Sequence, residues 1–97
     1  LTKAMSKDMA QYNILVNTVC IGLIRSGQHE RRYSGLREQD PALTINDFYD
    51  QRSQNVPLGR FGEAREAGDV ICFLASGRAS YLTGTSINID GGTSGVV

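Results

Sequence analysis

The chain is short of the features that would assign it quickly. It has one histidine, two cysteines and no net charge, ten Lys and Arg offsetting ten Asp and Glu in 97 residues. With no surplus of either sign there is no electrostatic argument for nucleic acid or for an anionic membrane surface as partner. No apolar run approaches the ~20 residues of a membrane-spanning helix, and no basic-then-apolar leader opens the sequence. A zinc site needs about four ligands, and His29 is remote in sequence from both Cys20 and Cys72. Both cysteines sit inside apolar runs, which reads as two buried, reduced thiols of a cytoplasmic protein rather than a disulfide or a metal centre. No segment repeats and none is of low complexity.

What is present is organised around Asn13 to Ser26. Its first half is a nearly unbroken, β-branched apolar run, the pattern of a parallel strand buried on both faces under helices. Its second half turns at Gly22 and presents a hydroxyl at Ser26. Open α/β sheets bind ligands just past the carboxyl ends of their strands, so Gly22 to Ser26 stands where a ligand site is expected.

Leu1, Ala4, Met5 and Met9 recur at helical spacing with no capping residue before them, which predicts the end of a helix that begins further upstream and stops near Gln11. Tyr12-Asn13 is a turn, and Ile14 to about Cys20 is the strand. From Arg25 to Asn55 charge crowds in and apolar residues thin out. Two short helices fit there, one from about Gln28 to Gln39 and one opened by a capping box at Thr44 and Asp47. The stripe Ile45, Phe48, Tyr49 and Arg52 is thin, so this excursion reads as a weakly packed binding loop or lid, and His29 as a solvated surface residue. Val56 to Gly62 is a Pro- and Gly-punctuated loop. Glu63 to Ser76 reads as a helix with a broad apolar arc, closed by Gly77. Gly68 within it costs roughly 1 kcal/mol relative to Ala, which close approach by a neighbour would explain. Thr85 to Asp90 alternates as a second strand and Asp90-Gly91-Gly92 turns after it, with Asp90 fixing the turn, before a tail from Thr93 to Val97. Two strands are too few for a stable sheet. The sequence therefore predicts an α/β chain that is the C-terminal part of a doubly wound parallel-sheet, Rossmann-type domain.

Four patches carry a resemblance to a known family. Asn17 to Ser26 resembles the Asn-x-x-x-Pro-Gly-x-Ile/Val-x-Thr segment of the short-chain dehydrogenases/reductases, with Ile21 for the proline and Ser26 for the threonine. Val56 to Gly62 with Glu66 resembles the Pro-x-x-Arg-x-Gly loop, Phe73 to Ser76 with Ala79 to Gly84 the Phe-Leu-x-Ser…Ala-Ser-x-Ile-Thr-Gly segment, and Asn88 to Gly92 the closing strand and turn. The match covers residues 1–26 and 56–97, in family order.

The resemblance implies an NAD(P)-dependent oxidoreductase moving a hydride between nicotinamide and an alcohol or carbonyl substrate. NAD or NADP would be contacted here by Ile21, Gly22, Ile24 and Ser26, with residues 27–55 as the substrate-loop insertion. It also implies a homodimer or homotetramer formed through Glu63–Ser76 and Thr85–Asp90. The residues themselves make Asn17 and Arg60 structural, as a backbone-bonding amide and an ion-pairing guanidinium. The family's Gly-rich phosphate loop and Tyr-x-x-x-Lys pair do not occur in the 97 residues, so the resemblance places no catalytic residue in this chain, and no metal. The alternative is a non-catalytic 97-residue interaction or oligomerisation chain derived from the same fold.

Overall fold

A computed structural model describes residues 1–94; the end of the predicted tail lies outside the described residues. The elements run α1 (Thr2–Ala10), β1 (Thr18–Ile21), α2 (Gly27–Gln39), α3 (Ile45–Ser53), α4 (Ala64–Leu74), a 3-10 turn (Gly77–Ala79) and β2 (Ser86–Ile89). All the predicted elements form, with shorter strands. Asn13 takes the left-handed conformation (φ 59°) in the turn that leaves α1, as its short polar side chain allows. Gly77 does not end α4 through a left-handed cap. The helix stops at Ala75, and the Ser76 side chain accepts the Arg78 N–H to start the 3-10 turn.

β1 and β2 pair in parallel, Thr18 opposite Ser86 through Ile21 opposite Ile89. Side chains alternate across a strand, so Val19, Ile21, Ile87 and Ile89 share one face and Thr18, Cys20, Ser86 and Asn88 the other. α4 lies along the first face, where Val19 meets Ile71 and Leu74 across a shallow groove. α1 serves the second, through a hydroxyl hydrogen bond between Thr2 and Thr18. Helices thus flank both faces of a parallel sheet, the doubly wound arrangement.

Ahead of β1, Asn17 ties the two strands' entries together. Its amide donates to the Leu82 carbonyl (3.0 Å) and its carbonyl accepts from the Thr85 N–H (3.1 Å) and hydroxyl (2.6 Å). This is the structural role the sequence predicts for it.

Two expectations need correction. Cys20 and Cys72 are free thiols, as predicted, but both are exposed. Cys20 is on the polar sheet face in the exposed second half of β1, and Cys72 is on a helix that buries only Ala67. The excursion over residues 27–55 is also not uniformly weakly packed. Phe48 and Tyr49 of α3, 2% and 4% exposed, pack with Phe61 to form the hydrophobic core cluster. The α3 stripe is thin but finds an aromatic partner in the loop that follows it. Within the excursion only α2, which buries no residue, matches the expectation. Among the described residues no helix is long and apolar enough to cross a membrane.

Candidate functional site

The site is built where the two strands end. After Ile21 the chain must pass Asp90, and Gly22 makes that possible. Its N–H continues the ladder to the Ile89 carbonyl (3.0 Å), and a Cβ there would fall 2.7 Å from the Asp90 Cβ and 2.9 Å from its Cα. Asp90 shapes the other strand end. Its carboxylate accepts from the N–H groups of Gly92 (3.0 Å) and Ser94 (2.9 Å), holding the turn at Gly91 and Gly92, as the sequence predicts.

The loop 56–62 straps these ends together. Leu58 donates its N–H to the Gly91 carbonyl (3.1 Å). Gly62 donates to Leu23 O and accepts from the Arg25 N–H, both at 2.9 Å, making Ile24 and Gly62 a parallel bridge pair. Arg60 anchors the strap to α4 through a bidentate pair with Glu66 (2.8 and 3.0 Å). Glu66 also accepts the Glu63 N–H (2.9 Å) in the capping box of that helix. The Arg60 hydrogen bond first, and the backbone N–H second, hold the Glu66 carboxyl down to about 2, while Glu66 raises Arg60. Arg60 is thus the structural ion-pair residue that the sequence predicts.

Between strap and strand ends lies a cavity of about 430 Å³, lined by Leu23, Ile24, Leu58, Arg60, Gly62, Asn88 and Gly91 among others. A second groove of about 520 Å³ adjoins it, sharing Leu23, Asn88 and Asp90 and adding Cys20, Ile21 and Gly22. Of the four predicted cofactor contacts, Ile21 and Gly22 line the groove and Ile24 lines the cavity. Ser26 lines neither; it is exposed at the N-cap of α2, where its side chain makes no capping bond. Sequence reasoning missed the strap and the Asn88–Gly91 lining as walls of the site. Their signal was the Pro and Gly punctuation on either side. It also misplaced His29, which is half-buried with its ring edge-on to Phe61 at 5.1 Å. Among the described residues no group of His, Cys, Asp or Glu is placed to hold a metal ion.

A family model described as enoyl-(acyl carrier protein) reductase matches residues 1–94. The oxidoreductase UcpA of Escherichia coli O157:H7 is 36% identical over 93 residues, 96% of this chain and 34% of UcpA. The 3-oxoacyl-[acyl-carrier-protein] reductase FabG of Thermotoga maritima is 41% identical over 92 residues, 95% of this chain and 32% of FabG. Among solved structures, a short-chain oxidoreductase from Pseudomonas aeruginosa PAO1, described as containing an atypical catalytic center, superposes with a TM-score of 0.88 at 35% identity. That match covers 99% of this chain and 37% of the other. L-sorbose reductase of Gluconobacter frateurii, solved with NADPH and L-sorbose, gives 0.89 at 25% identity over 99% of this chain and 36% of the reductase. The chain therefore spans about a third of the length of the relatives it matches. With strand-end glycine, strap loop and closing turn all in the places the four sequence patches predict, the chain belongs to the short-chain dehydrogenase/reductase family.

Proposed function

We propose that this chain is the C-terminal, nicotinamide-side part of an NAD(P)-dependent oxidoreductase acting on an alcohol or carbonyl substrate. The observation that carries the reading is the strand-end site itself. Gly22 brings bare backbone to the mouth of the groove, Ile21 and Ile24 give the groove and the cavity apolar walls, and Ser26, beside them at the start of α2, carries an exposed hydroxyl that makes no capping bond. An amide-bearing aromatic ring needs such a set, apolar contact for the ring and a few polar groups to fix its orientation. The residues therefore fit a nicotinamide, with the backbone near Ile21 and Ile24 facing its carboxamide and the Ser26 hydroxyl available to it from the edge of the site. The cofactor supplies or accepts the hydride; this chain binds and orients it. The proton donor falls to residues outside this sequence, and the segment 27–55 supplies the substrate-side wall. The relatives named as reductases, one of them solved with NADPH, support the same reading.

The test is a fluorescence titration of the full-length protein that contains this chain, with NADH and NADPH in turn. Binding of one of them is expected. Ser26→Ala removes one neutral hydrogen bond and should raise the apparent Kd a few-fold to about tenfold, roughly 0.5–1.5 kcal/mol. A wild-type protein that binds neither nucleotide overturns the proposal, and an unchanged Kd in the variant removes Ser26 from it.

A further inference from the structure

The residue before Ser26 is held more firmly than its exposed position suggests. The Arg25 backbone N–H is bonded to Gly62, its guanidinium carbon lies 4.4 Å from the centroid of the Tyr49 ring, and its Nε is 3.8 Å from a Glu63 carboxylate oxygen. Tyr49 in turn meets Phe61 edge-on at 4.8 Å. Three residues after Ser26, the His29 ring sits edge-on to the same Phe61. Ser26 is therefore flanked on both sides by contacts to one buried aromatic cluster, and that cluster belongs to α3 and the strap loop.

We propose that Arg25 is a positioning residue: stacked on Tyr49, it fixes the Ser26 hydroxyl and so links the packing of α3 to nicotinamide binding. The inference rests on the functional reading above. The Arg25–Glu63 pair is loose and half exposed on both sides, so it contributes little; the stacking and the backbone bond carry the placement. Tyr49 acts through its ring. Its hydroxyl is buried with no hydrogen-bond partner among the described residues, so nothing else in the site depends on it.

The experiment is the same titration on full-length Arg25→Met, Ser26→Ala and the double variant. An interaction of this class is worth about two- to fivefold in Kd. If Arg25 works through Ser26, Arg25→Met weakens binding by that factor in the wild-type background and by nothing further when Ser26 is already Ala. Arg25→Lys keeps the charge but loses the planar stack and should weaken binding similarly, which covers a Met variant that fails to fold. Tyr49→Phe should match wild type and Tyr49→Leu should match Arg25→Met. An unchanged Kd in both Arg25 variants, fold-changes that multiply in the double variant, or a Tyr49→Phe as weak as Tyr49→Leu overturns the inference while leaving the cofactor reading intact. Absence of nucleotide binding in the wild type overturns both.

Discussion

At position 22 there is room for a hydrogen and nothing larger. The atoms that a Cβ would meet are the backbone and Cβ of Asp90, which cannot swing aside as the tip of a long side chain could. Gly22→Ala should force the two strand ends apart and destabilise the full-length protein by about 1–3 kcal/mol, read as a lowered thermal midpoint. Glu66 makes a different prediction. Its carboxyl is depressed from an ordinary 4.5 to about 2 by Arg60 and the Glu63 N–H. A depressed acid stabilises the fold fully above its unfolded pKa and loses that contribution as the pH falls toward the folded one. The difference in thermal midpoint between wild type and Glu66→Gln should therefore shrink as the pH drops from about 4.5 toward about 2. A difference that grows instead would contradict the assignment. Gly22 and Arg60, the partner of Glu66, were partly legible in the sequence. Gly22 reads as a turn and Arg60 as an ion-pair residue. The reason for Gly22 does not read, because the backbone it must clear lies in Asp90, far along the chain.

The two helices of the excursion behave oppositely despite similar polarity. α3 is opened by a capping box in which Thr44 accepts from Asp47 N–H (3.1 Å) and Asp47 accepts from Thr44 N–H (3.4 Å). It buries Phe48, Tyr49 and Ser53. α2 buries nothing and is pinned through Tyr33, whose hydroxyl donates to the Leu43 carbonyl (3.0 Å), and through His29, edge-on to Phe61. Amide exchange should be fast along α2 and slow in α3, since local opening follows the burial lost. Equal protection in the two would contradict this. Phe48→Ala should cost about 3–5 kcal/mol, as expected for a large aromatic in a closed cluster. The α3 start was legible because a capping box is a local signal, four residues long. Its packing was not, since the partner ring, Phe61, comes from the next loop and no periodicity within α3 announces it. The cysteines failed for the same reason in reverse. An apolar run predicts burial only where something arrives to cover it.

The described chain is elongated, 58 × 24 × 22 Å, with a radius of gyration of 17.5 Å, where a compact chain of this length would have about 12–13 Å. Its apolar surface is correspondingly open. Ile71 and Phe73 of α4 are 46% and 43% exposed. Gly68 has nothing within 4 Å of where its Cβ would lie, so among the described residues no neighbour explains that glycine. We propose that a second copy covers α4 and β2 in a two-fold contact, which buries the same patch on both partners. Phe73→Asp in the full-length protein should then lower the mass measured by light scattering, because an unpaired charge would be buried in an apolar contact. A wild-type protein that is monomeric, or a folded variant that still assembles, contradicts it. The α/β order was legible at this scale because alternating helix and strand periods are written locally. At the same scale the sequence shows only apolar surface that nothing in these residues covers.

The sheet pairs residues 68 positions apart, as the Asn17–Thr85 bonds record. A ribosome adds about 5–20 residues per second. The β-branched strand around Val19 is therefore translated roughly 3–14 s before β2 exists to pair with it. Of the described helices that flank this sheet, α1 is made before the strand, while α4, on the apolar face, is made shortly before β2 itself. The β1–β2 ladder therefore closes only late in this segment's synthesis. Codon choice over residues 27–85 is then a setting on how long the β1 edge that β2 will take stays open.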